Sequence, residues 1–337
     1  MTPERMKAIR LHAVGGPENL RLDDVDVASL REGEVLVRVR AAALNRRDLF
    51  ITQGLYPNIR VPVTLGSDGA GEIAALGSVF AGLEVGAEVV IDPMLAWGDN
   101  PRVWDAANTS ILGMPRDGTL AQYVAVPAGN VYPKPKNLSM EDAAAIPLAG
   151  LTAYRAVVTR GALRRGESVL ITGVGGGVQT LVLLFAKWIG ARAIVTSSSD
   201  EKLERAKALG ADLAINYKTT PDWQKQLRSD PVDLVVDSSG GDTLRKALDA
   251  VRPGGRIVIY GGTNGEATIK LFPLFWKHVS VLGTSMGSPE DFAGMLQIFV
   301  DGMRPVVDRV FALEDAVAAT QRLAASDQFG KIVLRVD

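Results

Sequence analysis

Four glycines that follow a short apolar run form the part of this sequence best suited to bind a phosphate group. They are Gly173, Gly175, Gly176 and Gly177, and residues 168–172 form the run. Glycine lets the backbone turn sharply and approach a ligand closely. The helix predicted to begin near Val178 would present unpaired N–H groups to an anion. We therefore predict that this turn binds the pyrophosphate of a dinucleotide.

Gln179 departs from the usual form of such a turn. The third glycine of the fingerprint packs the helix closely on the strand, and Val178 and Gln179 occupy the positions where it would stand. We expect this departure to affect packing more than phosphate binding. A glycine-rich turn without a ligand is the alternative, but the turn opens a series of alternating strands and helices, which favours the dinucleotide site.

The end of the next strand favours NADP(H) over NAD(H). An acidic residue there would bind the ribose hydroxyls of NAD, whereas residues 196–199 are Thr-Ser-Ser-Ser. Small hydroxyl side chains leave space for a 2′-phosphate, and Lys202 or Arg205 could pair with it. NAD(H) remains possible.

A second interpretation of the same residues is structural. Ser198 and Glu201 have the spacing of a capping box for the following helix. Asp200 and Glu201 would also repel a 2′-phosphate if their side chains pointed towards it.

Composition excludes several classes of protein. The 337 residues are 47% hydrophobic and 22% charged with a net charge of −1, and no basic run suggests a nucleic-acid partner. The absence of cysteine excludes disulfides, thiol nucleophiles and Cys-ligated zinc. The two histidines, His12 and His278, lie far apart, and no GxSxG motif is present, so a catalytic zinc and a Ser-His-Asp hydrolase are both disfavoured.

No segment predicts membrane insertion or export. No apolar stretch approaches the length of a membrane span, and residues 1–11 lack the apolar region of a signal peptide. We expect a cytoplasmic protein without a membrane partner.

The pattern of elements predicts an α/β protein with two domains. Short apolar or alternating runs broken by Gly, Pro, Asp and Asn predict a β-rich, barrel-like first part, with an irregular lobe at 92–115. A helix should follow Ser139, which has Asp142 three residues on. Apolar strands then alternate with helices at about 180–209, in two pieces, and 242–251, which predicts a parallel sheet covered on both faces. The tail from 291 should hold two helices and a strand that returns to the first domain.

These features together resemble the medium-chain dehydrogenase/reductases over nearly the whole chain. The matching segments are AAALNRRDLFITQGLYP, LGSDGAGEI, DGTLAQYVAVPAGNVYPKP, AAAIPLAGLTAYRAV, the glycine turn, SSSDEKLERAKALGAD and GKIVL. The resemblance implies a GroES-like catalytic domain of residues 1–130 and 286–337. It also implies a Rossmann dinucleotide-binding domain, a doubly wound parallel sheet, of residues 131–285.

The departures from the family pattern indicate a zinc-independent branch. In zinc alcohol dehydrogenases a cysteine ligand stands at the position of Asn45, and the Gly-His-Glu that supplies the histidine ligand corresponds to Gly66-Ser67-Asp68. Leu148 falls near the third ligand, and the lobe at 92–115 lacks the structural cysteines. The segments LNRRD and GLYP resemble instead the quinone oxidoreductase-like branch, which implies no metal site.

The resemblance also implies roles for individual residues. Asn45 and Tyr56 would line the nicotinamide and substrate site as catalytic residues. The implied cofactor contacts, besides the glycine turn with Val178, are Thr152 near the carboxamide, Ser198, Lys202 and Tyr217 near the adenosine and 2′-phosphate, Ser239, Gly240, Tyr260 and Gly261 at strand ends, and Lys331 in the tail. The structural alternatives are that Asn45 caps a turn, Tyr56 and Tyr217 pack in the core, and Lys331 is an exposed strand residue.

These expectations predict an NADPH-dependent, zinc-independent oxidoreductase that transfers hydride to a quinone or an α,β-unsaturated carbonyl. Two alternatives remain: an alcohol dehydrogenase or aldehyde reductase of the same superfamily, and an NADPH-binding sensor or structural protein with little turnover. The apolar segment VSVLGT should form the last strand of the Rossmann sheet. An open apolar edge invites pairing, so we predict a homodimer through it.

Overall fold

The computed structural model describes residues 2–337, and its contacts divide the chain into two compact units. Unit 1 comprises Met1–Ala149 and Ser288–Asp337, and unit 2 comprises Gly150–Gly287. The strands are β1 (Arg5–Leu11), β2 (Leu20–Asp26), β3 (Glu34–Ala43), β4 (Val63–Thr64), β5 (Asp68–Leu76), β6 (Glu88–Ile91), β7 (Met94–Leu95), β8 (Ser110–Ile111), β9 (Tyr123–Pro127), β10 (Val131–Pro133), β11 (Ser168–Ile171), β12 (Arg192–Ser197), β13 (Leu213–Asn216), β14 (Val232–Asp237), β15 (Val251–Ile259), β16 (Ser280–Gly283), β17 (Val307–Ala312) and β18 (Lys331–Arg335). The α-helices are α1 (Arg46–Thr52), α2 (Met140–Ala144), α3 (Pro147–Tyr154), α4 (Gly177–Ile189), α5 (Asp200–Ala208), α6 (Gly241–Ala250), α7 (Leu271–Trp276), α8 (Pro289–Val300) and α9 (Ala316–Ala325).

Unit 1 is built on a seven-stranded sheet. The path runs β10-β6-β5-β3-β18-β17, β9 also pairs with β3, and β2-β1-β4 form a smaller sheet. Ala43 at the end of β3 lies opposite Asp68 of β5 on one side and Val333 of β18 on the other. This register places the polar residues that follow or begin these strands at one end of the sheet.

Residues 131–149 lie in unit 1, where the sequence-based boundaries assigned them to the second domain. The reason is strand pairing, because Val131 of β10 lies opposite Ile91 of β6. The predicted helix after Ser139 is confirmed, and the Ser139 hydroxyl accepts the backbone N–H of Asp142 at 3.0 Å.

The tail returns to unit 1 as predicted, with β18 antiparallel to β3. It contains one strand that the sequence did not predict. β17 pairs in parallel with β18, with Val310 opposite Val333, and its side chains stay partly or largely exposed.

Unit 2 is a sheet of six parallel strands in the order β13-β12-β11-β14-β15-β16. This is the doubly wound order, in which ligands bind beyond the carboxyl ends of the strands where the winding reverses, at β11 and β14. The inner strands are buried, which explains their uniformly apolar sequence. No helix within residues 2–337 is long and apolar enough to cross a membrane.

The prediction that Ser198 caps the helix after β12 is wrong by one residue. Helix α5 begins at Asp200, and the Ser199 hydroxyl accepts the backbone N–H of Lys202 at 3.3 Å. In a run of three serines, the turn geometry decides which one caps the helix. Ser198 is thereby left directly after β12 without a capping role.

Candidate functional site

A buried cluster of polar side chains occupies the end of the sheet in unit 1. The Lys331 ammonium, 3% exposed, donates to the Leu44 carbonyl at 2.8 Å, to Asn45 Oδ1 at 2.6 Å and to Asp68 Oδ2 at 2.7 Å. A lysine ammonium has three N–H donors, so all three are used. The role of Lys331 as a cofactor contact stays a prediction, and its three donors are bonded within unit 1. The alternative of an exposed strand residue is wrong.

Asp68 is fully buried and completes the cluster. Its Oδ1 accepts the backbone N–H of Leu148 at 2.7 Å, and its Oδ2 accepts Asn45 Nδ2 at 2.9 Å as well as Lys331. The Asn45 amide thus directs its oxygen to a cation and its nitrogen to a carboxylate. The second Nδ2–H has no partner among residues 2–337.

The first turn of helix α1 fixes the backbone of Asn45. Asn45 is its N-cap residue, and Asp48 in the first turn accepts the Asn45 N–H at 2.8 Å and the Gly66 N–H at 3.3 Å. Burial raises the pKa of Asp48. Asn45 and Asp48 thus form the capping box of α1, and the Asn45 side chain bonds to Lys331 and Asp68 as well.

Arg47 forms a second buried cation beside this cluster. Its Nη1 donates to Ser67 Oγ at 2.9 Å and to the Leu112 carbonyl at 3.0 Å, and its Nη2 donates to the Met114 carbonyl at 3.2 Å. Its guanidinium lies 5.0 Å from the ring centre of the half-buried Tyr56. Arg47 thus anchors the end of the 92–115 lobe to α1 and contacts the ring of Tyr56.

The sequence did not single out Arg47, Asp48 or Asp68 as functional residues. Arg47 and Asp48 both lie in the segment LNRRD. Charged residues are rarely buried without a partner, so adjacent opposite charges in a buried segment are the feature that could have indicated them.

The residues at the family's metal position do not fit zinc. Zinc is held by thiolate, imidazole and carboxylate groups. Asn45 and Ser67 offer an amide and a hydroxyl, which already bond to Lys331 and Arg47. Within residues 2–337 no group of three or more His, Cys, Asp or Glu could hold a metal ion.

The glycine turn of unit 2 has the form expected of a phosphate cradle. Gly173 and Gly175 adopt φ values of 70° and 133°, which side-chain-bearing residues rarely adopt. Helix α4 begins at Gly177, after Gly176, and no side chain caps its start. Its first N–H groups, including that of Val178, are the orphan donors that bind phosphate at such turns.

Gln179 stands where the fingerprint would have its third glycine, and its side chain contacts both the turn and the neighbouring strand end. Its Oε1 lies 2.5 Å from the point that a Cβ on Gly176 would occupy. Its Nε2 donates to Ser238 Oγ at 2.9 Å, just beyond β14. The Gln179 amide therefore covers Gly176 and connects the turn to the neighbouring strand end.

The three residues predicted near the 2′-phosphate follow β12 and β13. The Lys202 side chain lies along the turn, with its Cδ 2.9 Å from the Cβ position of Gly175. Tyr217 is 41% exposed, so the alternative of a core aromatic is wrong, and its backbone bonds to Ser197. Asp200 accepts Asn216 Nδ2 at 2.7 Å.

The other predicted contacts of unit 2 lie mostly at the same edge of the sheet. Ser239 and Gly240 follow β14, Tyr260 and Gly261 follow β15, and Thr152 lies in α3. Burial raises the pKa of Tyr260.

Asp237, which no sequence pattern indicated as functional, organises this edge. It accepts Thr172 Oγ1 at 2.5 Å and the Gly240 N–H at 2.8 Å, which ties together the ends of β11 and β14.

We expect Gly175→Ala to weaken the predicted binding of a nicotinamide dinucleotide about tenfold or more. The new Cβ would meet Lys202, and a backbone conformation of this kind costs an alanine about 1–3 kcal/mol. Fluorescence titration with NADPH measures the affinity. Gly166→Ala is the matched control, because Gly166 also has a positive φ, of 82°, but nothing lies within 4 Å of its Cβ position. Equal affinities in the two variants would show that the glycine turn does not contribute to nucleotide binding.

Comparison with known proteins identifies the families that the two parts of the chain match. Residues 31–136 match the alcohol dehydrogenase GroES-like domain family, and residues 177–301 match the zinc-binding dehydrogenase family. The chain is 36% identical to the zinc-type alcohol dehydrogenase-like protein YogA of Leptosphaeria maculans, over 94% of each chain. It is 37% identical to 2-methylene-furan-3-one reductase of Solanum lycopersicum, over 80% of this chain and 69% of that protein. A crystal structure described as an NAD-dependent alcohol dehydrogenase is 39% identical, with a TM-score of 0.91 over 98% of this chain and 100% of that one.

Proposed function

Because the chain belongs to the medium-chain dehydrogenase/reductase superfamily, which makes it an oxidoreductase, we propose that it reduces α,β-unsaturated carbonyl compounds or quinones with NADPH and without zinc. One observation carries the proposal. The two side chains at the family's metal-ligand positions, Asn45 and Ser67, are bonded to protein cations, and Asn45 retains an N–H donor.

The chemistry of such a site suits reduction of an activated alkene. Oxidation of an alcohol needs a metal or a base to stabilise the alkoxide. Reduction of an enone needs a hydride at the β-carbon, a donor at the oxygen where negative charge develops, and a proton. When bound, the nicotinamide supplies the hydride. Asn45 Nδ2 donates to the oxygen, with Tyr56 as a second donor, and solvent supplies the proton that completes the saturated carbonyl.

The comparisons support both this activity and its alternative. The tomato relative is named as a reductase of a 2-methylene-furan-3-one, which is an enone. The fungal relative and the crystal structure carry alcohol dehydrogenase names, which favour an alcohol dehydrogenase or aldehyde reductase as the second candidate.

We expect turnover of enones or quinones with NADPH to be unchanged by excess EDTA. The measurement is NADPH consumption against enones, ortho- and para-quinones, aldehydes and alcohols, with and without chelator. A known zinc alcohol dehydrogenase treated in parallel controls for effective chelation. Activity on alcohols alone, lost with EDTA and restored by zinc, would overturn the proposal in favour of the second candidate.

NADP(H) is the proposed cofactor because the end of β12 carries hydroxyl residues and Lys202 lies beside the glycine turn. Asp200 bonds to Asn216, which gives its carboxylate a partner other than a ribose. The crystal structure described as NAD-dependent supports NAD(H) as the alternative.

We expect Lys202→Ala to lower the affinity for NADPH about 10- to 150-fold and to change the affinity for NADH little, because a charge-assisted bond to phosphate contributes about 1.5–3 kcal/mol. Isothermal titration with both nucleotides measures the two affinities. Lys207→Ala is the matched control on the same helix, since Lys207 pairs with Glu204. Equal loss of both affinities would point to a pyrophosphate contact and leave the NADP preference without support.

The last strand of unit 2 is the proposed dimer contact. β16 is an open edge strand with largely exposed residues. Helix α7 precedes it and exposes four large apolar side chains: Leu271 at 69%, Phe272 at 61%, Phe275 at 61% and Trp276 at 69%. An exposed apolar group beside an open edge fits a second copy of the chain, paired about a two-fold axis.

We expect the wild-type protein to have the mass of two chains by light scattering and Trp276→Glu to shift it towards one chain. A charge in the centre of an apolar contact must be desolvated on association. Trp188→Glu is the matched control, because Trp188 is also exposed in unit 2, at 52%, but lies on α4. A wild-type mass of one chain would dismiss the dimer.

A further inference from the structure

We infer that Lys331 and Asp68 act as a positioning pair that fixes the direction of the Asn45 amide, so that the site offers a donor and recognises a carbonyl oxygen. The inference rests on the proposed function and deepens it, because it names the pair that keeps an N–H donor of Asn45 available for the substrate oxygen. Lys331 does not touch the substrate, since its three donors are already bonded.

An asparagine amide has nearly the same shape in its two orientations, but only one is favourable here. In the observed orientation Oδ1 accepts from the Lys331 ammonium and Nδ2 donates to the Asp68 carboxylate. A half-turn of the amide would place its N–H groups against the ammonium and its oxygen against the carboxylate. Both contacts would be repulsive, and the repulsion would be strong because electrostatic interactions are strong in a buried site.

The two charges are themselves fixed to the backbone. Lys331 is tied to the Leu44 carbonyl and Asp68 to the Leu148 N–H, at 2.8 and 2.7 Å. Side chains anchored this way lose little freedom when a ligand arrives, which is the condition for a preorganised donor. The free N–H of Asn45 Nδ2 is therefore held in one direction before substrate binds, while Asn45 keeps 7% of its surface exposed.

The pair also determines which hydrogen-bonding group the site offers to a substrate. A fixed N–H donor favours a carbonyl or a developing enolate oxygen, which accept hydrogen bonds. A flipped amide would offer an acceptor instead and would leave the developing charge without this donor. The substrate class that fits is thus an enone or quinone, with the oxygen gaining negative charge in the transition state.

The test removes both charges together. Lys331→Met with Asp68→Asn leaves no unpaired buried charge and lets the Asn45 amide turn, so we expect kcat with an enone to fall about 100-fold, as when one oxyanion donor is lost. The affinity for NADPH should not change. In an Asn45→Ala background the same double change should cause no further loss, because the pair acts through Asn45. A further loss that multiplies the first would overturn the inference, as would an unchanged kcat in the double variant.

A second readout does not depend on activity. The side-chain amide signal of Asn45 in a ¹⁵N–¹H spectrum is identified by its absence in Asn45→Ser. We expect that signal to be sharp in the wild type and shifted or broadened in the double variant. If it is identical in both, the positioning role is wrong. If the signal behaves as expected but the wild type reduces no acceptor, the proposed function fails and the positioning pair stands.

Discussion

Replacing Lys331 with methionine is expected to lower the free energy of unfolding by about 3–5 kcal/mol, because it leaves a buried carboxylate without its cation. Asp68 is fully buried, and its Oδ2 would retain only the Asn45 amide as a partner. Asn45 Oδ1 and the Leu44 carbonyl would also lose their donor. Urea unfolding followed by far-ultraviolet circular dichroism measures the change.

Lys134→Met provides the matched comparison in the same unit. Lys134 is also buried and donates to the Leu138 carbonyl at 2.6 Å, but its carboxylate partner Glu88 is largely exposed. Water can solvate Glu88 when the lysine is removed, so a smaller loss is expected. The Lys331→Met/Asp68→Asn protein should recover most of the stability. Equal losses in the two lysine variants would show that the burial of Asp68 does not decide the energy.

Replacing Asn45 with alanine is expected to lower kcat by about 100- to 1,000-fold while the affinity for NADPH remains nearly intact. Asn45 combines a fixed orientation with an unused N–H in the cluster of Lys331, Asp68 and Asn45. Steady-state kinetics with an enone and fluorescence titration with NADPH measure the two quantities.

Asn45→Asp sharpens this prediction. The carboxylate keeps an acceptor for Lys331, but it has no N–H to donate and it replaces the bond to Asp68 with repulsion between two carboxylates, so an equal or larger loss of kcat is expected. Turnover close to that of the wild type in Asn45→Asp would refute donation by Nδ2. A parallel loss of NADPH affinity would indicate a general disturbance of unit 1.

The sequence predicted unit 2 better than the unit 1 cluster. The parallel sheet of unit 2 follows from local patterns, since buried parallel strands are apolar throughout and glycines mark the turn. The errors there are small shifts, such as Ser199 in place of Ser198 as the cap of α5. They arise because neighbouring residues of the same type satisfy the same local rule.

The unit 1 cluster depends on contacts that no local pattern contains. Lys331 begins a strand whose sequence, KIVLR, permits an exposed or a buried lysine equally well. Its burial follows from the register that brings β18 beside β3, and its partners stand 286 and 263 residues earlier. The resemblance to a family indicated Asn45, but the ion pair that orients it emerged only from the fold.

The distance along the chain between Asn45 and Lys331 also determines how long after Asn45 the lysine is synthesised. At about 5–20 residues per second, the 286 residues between them take about 15 to 60 s to translate. Unit 2, which is one continuous segment, is complete within that interval. Until β18 emerges from the ribosome, the nascent first unit has a carboxylate without its ammonium and a β3 edge without its neighbour at 41–43. During this interval, chaperones and proteases would act on a chain in which unit 2 is complete and unit 1 still exposes the unpaired edge of β3.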